Sequence, residues 1–466
     1  MSSHSSALMI SVSGIRGVIG HALSPGNALD FVQSYAAFLK NQGKEKPLVL
    51  LARDTRPSGE MMRHAVLAGL IGSGCRVLDL GIVSTPTLQL SIPFHKADGA
   101  ICITASHNPV EWNALKFFQP SGMYLDKTMG SEVIRIYDNK DFVCGTWETM
   151  GSVETDDTAI ERHIAAILQL VDADKIRAKK FKVVLDGCAG AGNTISPLLL
   201  RELGCDVVHI NAALDGIFPH NPEPLPVNMV QLCDAVKANN ADIGFAHDAD
   251  ADRVAVATND GEFIGEDYSL VWAIAHYLKN RKRGPIVTNL STSMAVEAVA
   301  KQYDCAVHRS AVGDANVSAM MHETKAVIGG EGNGGVIMPD IQYGRDGIAA
   351  LAFTLDFLAT ENKTSGELHR EIPHFFITKS TIDFPNDKMK PLLAWLKSKE
   401  KTARADERDG LRLDWPANGE TTSWAHIRPS GTEPFVRVIC EAKTEAESNR
   451  MQKHLRDEIA SIAGAL

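Results

Sequence analysis

No stretch of this 466-residue chain stays apolar for the ~18 residues that a bilayer span requires, so no transmembrane helix is expected. The N-terminus, MSSHSSALMISVSGIRG, has no basic start and too short an apolar run for a signal peptide. Cys75, Cys102, Cys144, Cys188, Cys205, Cys233, Cys305 and Cys440 are scattered with no CxxC pair. That argues against a disulfide framework or a zinc site and for buried thiols in a reducing compartment. A soluble, cytoplasmic protein is the expectation, without a membrane partner. Long basic runs are also missing: the cluster Arg281, Lys282, Arg283 reads as a solvated helix end. With 47 Lys and Arg against 57 Asp and Glu the formal net charge is -10, so no nucleic-acid partner is expected. An anionic ligand would have to be met by a few locally placed cations or by a bound metal ion. Gly (37) and Pro (20) are too few for a fibrous or low-complexity chain.

What the chain does contain is a recurring unit. KPLVLLA (46–52), a helical stretch from Ser58 to Ile71, then CRVLDLG (75–81) and GAICIT (99–104) read as strand, helix, strand, strand. The pattern returns as KVVLDG (182–187), a helix through LLLRELG (198–204) and CDVVHIN (205–211), and again as PIVTNL (285–290), SMAVEAVAKQY (293–303) and CAVHRS (305–310). Such alternation predicts α/β units with mainly parallel sheets. After about residue 370, FFITKSTIDFP, GLRLDW, SWAHIRP and FVRVICEAK read as strands around two helices, an α+β layout, with the charged stretch 397–410 as a surface helix end or loop. The expected segments are 1–150, 151–260, 261–370 and 371–466.

Each segment carries one motif with chemical content. TASHNP (104–109) follows the strand GAICI, and polar residues at the C-terminal end of a strand are where α/β sheets place their chemistry. Ser106, beside His107, suits a nucleophile or phosphate carrier, and Lys116 lies ten residues on; a simple turn is the competing reading. A G-x-S-x-G elbow is absent, so hydrolase chemistry has no support. In HDADADR (247–253), Asp248, Asp250 and Asp252 alternate, and an extended loop could aim their carboxylates at one point, where a hard divalent cation, Mg²⁺ best, would relieve their repulsion. An EF-hand is excluded by Arg253 at its glycine position and Asn259 at its glutamate position. GGEGNGG (329–335) lets backbone approach a ligand closely and leaves Glu331 and Asn333 to read sugar hydroxyls, although a glycine-rich hairpin alone would look the same. RPSGTEP (428–434) could hold a phosphate through Arg428, the hydroxyls of Ser430 and Thr432 and amides around Gly431. Arg16 and Arg253 are further candidate cations.

A hydroxyl, a divalent cation, a sugar reader and a phosphate clamp together describe phosphoryl transfer on a sugar. In the order and spacing of these motifs the chain resembles the α-D-phosphohexomutase family from end to end. The resemblance implies three related α/β domains with mixed sheets and a smaller C-terminal α+β domain around a central cleft. It implies a phosphorylated Ser106, Mg²⁺ on Asp248, Asp250 and Asp252 with a phosphoserine oxygen, and a hexose 1,6-bisphosphate as intermediate and activator. Lys116 matches the family's candidate general acid/base, Arg16 an arginine near the transferring group, Glu331 the reader of ring hydroxyls, and Arg428, Ser430 and Thr432 the holders of the non-reacting phosphate. The partner is then a small hexose phosphate, and the chain a monomer or homodimer. Many relatives have Ser where Asn333 stands and some have His where Gly335 stands, so a role played there by histidine is absent or supplied elsewhere. GEGNGG with SGIRG, NLSTS (289–293) and VGDANV (312–317) resembles archaeal-type phosphoglucosamine/phosphomannomutases, which favours glucosamine phosphate over mannose or glucose phosphate. A Mg²⁺-dependent sugar phosphatase using Asp248 as nucleophile and a non-catalytic sugar-phosphate sensor are the rival classes; the first leaves TASHNP unexplained, and the second requires binding without turnover.

Overall fold

The computed structural model describes residues 7–417, 419–429 and 435–463. Three of its four sheets repeat one plan. In the first, Leu48–Arg53 lies between Arg76–Ile82 and Gly99–Ile103, parallel to both, and Trp112–Phe118 closes the far side antiparallel to Gly99–Ile103. The second repeats the order with Lys182–Asp186, Asp206–Ile210, Ile243–His247 and the antiparallel Val254–Thr258. The third repeats it with Ile286–Asn289, Val307–Ser310, Ile328–Glu331 and the antiparallel Gly335–Ile337. The sheets are therefore mixed: a parallel trio, as the strand–helix alternation predicts, plus one antiparallel strand. The inner strands are buried on both faces, and accordingly read as apolar runs such as KVVLD and GAICI. The first sheet also carries Met9–Ser11 and Gly14–Val18 at one edge and Ser152–Thr155 at the other, the last lying past residue 150.

In every unit the turn from the third to the fourth strand is the motif-bearing one. TASHNP joins Gly99–Ile103 to Trp112–Phe118, DADADR joins Ile243–His247 to Val254–Thr258, and GNG joins Ile328–Glu331 to Gly335–Ile337. The helices after the fourth strands of the second and third units pack against those strands. Tyr268–Asn280 and Gly347–Glu361 are buried on nearly all sides, and with Phe245, Val256, Ile286 and Val336 they form one continuous core beneath the second and third sheets. The first unit has its own core around Phe31, Tyr35 and Phe117.

The last sheet is antiparallel, ordered Phe376–Asp383, Phe435–Ala442, Glu420–Pro429, Leu411–Ala417, Arg404–Asp406, and is backed by Met389–Lys399 and Glu445–Ala463. Arg404–Asp406 falls in the charged stretch read as helix end or loop; it is a short charged edge strand, the composition that protects a sheet edge. One buried carboxylate ties this unit to the third. Glu441 accepts hydrogen bonds from Ser293 Oγ, from the Met294 amide (2.8 Å) at the start of helix Ala295–Gln302, and from Trp424 Nε1. Removing it leaves three buried donors without an acceptor. Glu441→Ala is expected to lower stability by about 3 kcal/mol or more and to expose the connection at 372–376 to protease. Urea denaturation and limited proteolysis check this, and a wild-type pattern in both would refute the tie.

Candidate active site

Ser106 sits in a left-handed turn (φ 49°), unusual for a residue with a Cβ, and is buried. Its amide donates to Thr104 Oγ1 (3.0 Å) and its own Oγ donates to Asp248 Oδ2 (2.7 Å), joining the first unit to the second. A fully buried arginine holds this turn in place. Arg56 donates Nη2 to the carbonyls of Ser106 (2.8 Å) and Asn108 (2.7 Å) and Nη1 to those of Pro109 (2.6 Å) and Trp112 (3.1 Å). Its charge is balanced by Asp54, 3.0 Å from Nε, which also accepts from Thr104 Oγ1 (2.6 Å). The serine is thus aimed by a buried ion pair whose five donors are largely spent on backbone.

Asp248, Asp250 and Asp252 are buried, and one oxygen of each lies within 4.8 Å of the others; among the described residues this is the one such cluster of His, Cys, Asp or Glu. They meet not on an extended loop but on a tight turn: Ala251 is left-handed (φ 54°) and its amide bonds the Asp248 carbonyl (3.1 Å). Alternation in sequence becomes convergence because the chain winds. Asp250 Oδ2 accepts from Lys116 Nζ (2.7 Å) and Thr85 Oγ1 (2.6 Å), and Asp252 Oδ2 accepts from Arg345 Nη2 (2.6 Å). Oδ1 of Asp250 and Oδ1 of Asp252 are buried and make no hydrogen bond, although Arg253 Nε lies 3.7 Å from the latter. Burial, then the neighbouring Asp252 and Asp250, push the Asp248 carboxyl well above the usual range. Burial also acts to raise Asp252, but Arg345, Lys116 and Arg253 outweigh it and hold that group low. Crowded carboxylates with unpartnered, buried oxygens are the donor set a hard divalent cation completes, so the residues fit Mg²⁺.

The cations ring this cluster. Lys116, partly buried, stays an ammonium: burial disfavours the charge, but Asp250 at 2.7 Å and then other acidic neighbours raise its pKa well above normal. Arg253 Nε lies 3.7 Å from both Asp248 and Asp252, and its Nη2 meets His107 Nδ1 at 3.0 Å. An arginine can only donate, so Nδ1 is the acceptor and the proton of neutral His107 sits on Nε2. Burial and then Arg253, with three further cations, keep His107 neutral well below its ordinary pKa. Arg16 donates to Asn108 Oδ1 (3.0 Å) on the serine turn.

Glu331, at the end of its strand, accepts at Oε1 from Asn289 Nδ2 and the Gly313 amide (2.8 Å each) and at Oε2 from Arg345 Nη1 (2.9 Å). Asn333 keeps a buried Oδ1 without a partner. Arg428 pairs elsewhere, its Nε 2.9 Å from both oxygens of Asp409; Ser430, Gly431 and Thr432 lie outside the described residues. The residues that sequence reasoning passes over are Asp54, Arg56, Thr85 and Arg345. The sole signal for the first two is a charged RDTR run (53–56) ending a buried strand, and for Arg345 its place in the turn QYGRDG (342–347). Asn289 and Gly313 fall in NLSTS and VGDANV, stretches that already carry the archaeal-type resemblance.

Four family profiles match in chain order: the phosphoglucomutase/phosphomannomutase α/β/α domains I (residues 8–143), II (161–261) and III (266–376), and the C-terminal domain (382–458). The chain is 38% identical over 439 residues to the "Phosphoglucomutase/phosphomannomutase" of Thermococcus kodakarensis, covering 93% of this chain and 94% of that one. It is 36% identical over 454 residues to a "Probable phosphoglucosamine mutase" of Methanopyrus kandleri, covering 97% and 96%. Among solved structures, a phosphoglucomutase/phosphomannomutase family protein from Burkholderia thailandensis superimposes with a TM-score of 0.83 at 27% identity, over 97% of this chain and 98% of that one. The chain belongs to the phosphoglucomutase/phosphomannomutase family, whose members are isomerases that interconvert sugar phosphates.

Proposed function

We propose that this phosphohexomutase interconverts hexose 6-phosphate and hexose 1-phosphate through phosphoserine at Ser106 and a hexose 1,6-bisphosphate, with glucosamine phosphate as its preferred substrate. The observation that carries the reading is the Ser106 hydroxyl, held in a strained turn 2.7 Å from a carboxylate of the acidic cluster. In the forward step the phosphoserine P–Oγ bond breaks as a sugar hydroxyl forms the new P–O bond and passes its proton to an oxygen of the transferred phosphoryl group; the second transfer reverses this at the other end of the sugar. Asp248, Asp250 and Asp252 would hold Mg²⁺, which would supply positive charge to stabilise the transferred phosphoryl group. Lys116, kept protonated by Asp250, can deliver a proton to the departing serine oxygen and, once neutral, is the base for the return transfer. Neutral His107 offers an Nε2–H donor beside the serine, and Arg253 and Arg16 add fixed charge that needs no reorganisation. Glu331, with both oxygens anchored but lone pairs to spare, accepts from ring hydroxyls, and Asn333 Oδ1 is a second free acceptor. Arg428, freed from Asp409, and the loop 430–432 would take the non-reacting phosphate.

The preference for glucosamine phosphate is supported by the GEGNGG, NLSTS and VGDANV stretches and by the Methanopyrus kandleri relative's name; that of the Thermococcus kodakarensis relative supports mannose and glucose phosphates as a second reading. Ser106→Ala is expected to lower mutase kcat by roughly 10⁴-fold or more, as loss of a nucleophile does, with the fold intact by circular dichroism. Activity near wild type, or release of inorganic phosphate in place of isomerisation, would overturn the phosphoserine reading. A comparison of kcat/KM on glucosamine, mannose, glucose and N-acetylglucosamine phosphates should rank glucosamine first; any other order would refute the substrate assignment alone.

A further inference from the structure

Gly335 has ordinary backbone angles, so no turn demands a glycine there. Space does. A Cβ built at 335 would lie 2.2 Å from Cδ and 3.1 Å from Cγ of Arg345, whose side chain passes directly over the glycine. The arginine cannot step aside cheaply, because its guanidinium is pinned by three carboxylates: Asp252 Oδ2 at 2.6 Å, Glu331 Oε2 at 2.9 Å and Asp314 Oδ2 at 3.4 Å. Asp252 belongs to the turn between Ile243–His247 and Val254–Thr258, Glu331 to the strand directly paired with Gly335, and Asp314 to the first turn of helix Asp314–Thr324. One rigid, planar fork therefore spans the acidic cluster and the sugar-facing carboxylate, a geometry open to arginine and not to the point charge of lysine.

We propose that Arg345 is a positioning residue that locks the metal-facing carboxylate Asp252 and the sugar-facing carboxylate Glu331 into one unit, and that Gly335 is glycine in order to let it pass. By engaging Asp252 Oδ2, Arg345 leaves Oδ1 to face a cation; by engaging Glu331 Oε2, it fixes where the ring hydroxyls of a hexose phosphate are met. The two sites are then coupled through a single side chain: a change that loosens Arg345 should weaken metal and sugar binding together. This inference rests on the reading of Asp248, Asp250 and Asp252 as metal ligands and of Glu331 as sugar reader.

Two measurements test it. The packing part needs no ligand: Gly335→Ala should lower the melting temperature in the wild-type background by several degrees and much less in an Arg345→Ala background. Equal losses in the two backgrounds would overturn it. The coupling part is read by titrating Mn²⁺, followed by electron paramagnetic resonance, and by the dissociation constant of glucosamine 6-phosphate. Arg345→Lys, which keeps the charge and so the fold, and Gly335→Ala, which keeps the arginine but displaces it, should each weaken Mn²⁺ about tenfold, the usual penalty for losing an outer partner of a metal ligand, and weaken the sugar phosphate in parallel. Unchanged or tighter Mn²⁺ binding, or weakening of one ligand without the other, would overturn the coupling alone. A wild-type protein that binds no Mn²⁺ would overturn the metal reading together with the coupling, while the stability cycle still judges the packing.

Discussion

Three carboxylates buried within a few ångströms of one another repel, and a fold that holds them there must supply opposite charge from several directions. Here Lys116 comes from the first sheet, Arg253 from the same turn and Arg345 from the third unit, while Ser106 Oγ caps the remaining carboxylate from the first. The acidic cluster is consequently where separate parts of the chain are tied together. Its charges are balanced through partners that leave Oδ1 of Asp250 and of Asp252 without a hydrogen bond, so that the same arrangement which makes the cluster tolerable leaves donor atoms that a cation can engage.

The repeated sheet plan explains how one site draws on units far apart in sequence. In each of the first three units a parallel strand hands over to an antiparallel neighbour, and the turn between them presents its polar residues at the same relative place. That turn carries the serine in the first unit and the aspartates in the second, and in the third it directly follows the glutamate that ends the strand. It is also where backbone strain and close packing concentrate: the left-handed angles of Ser106 and Ala251 and the bare glycine at 335 all lie in these turns or at their edge. Arg56 and Asp54 steady the first of them and Arg345 bridges the other two.

Much of this was legible along the chain, because TASHNP, DADADR and GEGNGG are local signals and the strand–helix alternation is periodic. Other features depend on distance in space. Arg56 meets the serine turn across about fifty positions, and Arg345 crosses Gly335 only once the third sheet is formed. The shared core of the second and third units is likewise invisible to a reading that cuts the sequence near residue 260, since the helix Gly347–Glu361 packs against both. The strand Arg404–Asp406 hides in a charged stretch because edge strands favour charge. The three aspartates are legible as a cluster, but their convergence comes from the turn at Ala251, not from an extended loop.

The proposed transfer depends on the acidic turn as its metal centre. Anomalous diffraction from crystals soaked in Mn²⁺ tests that most directly. A single strong peak within about 2.0–2.3 Å of one oxygen each from Asp248, Asp250 and Asp252, with Ser106 Oγ or its phosphate on the same side, is the predicted result. A peak held by other residues, or none at the aspartates at a concentration that saturates activity, would contradict it.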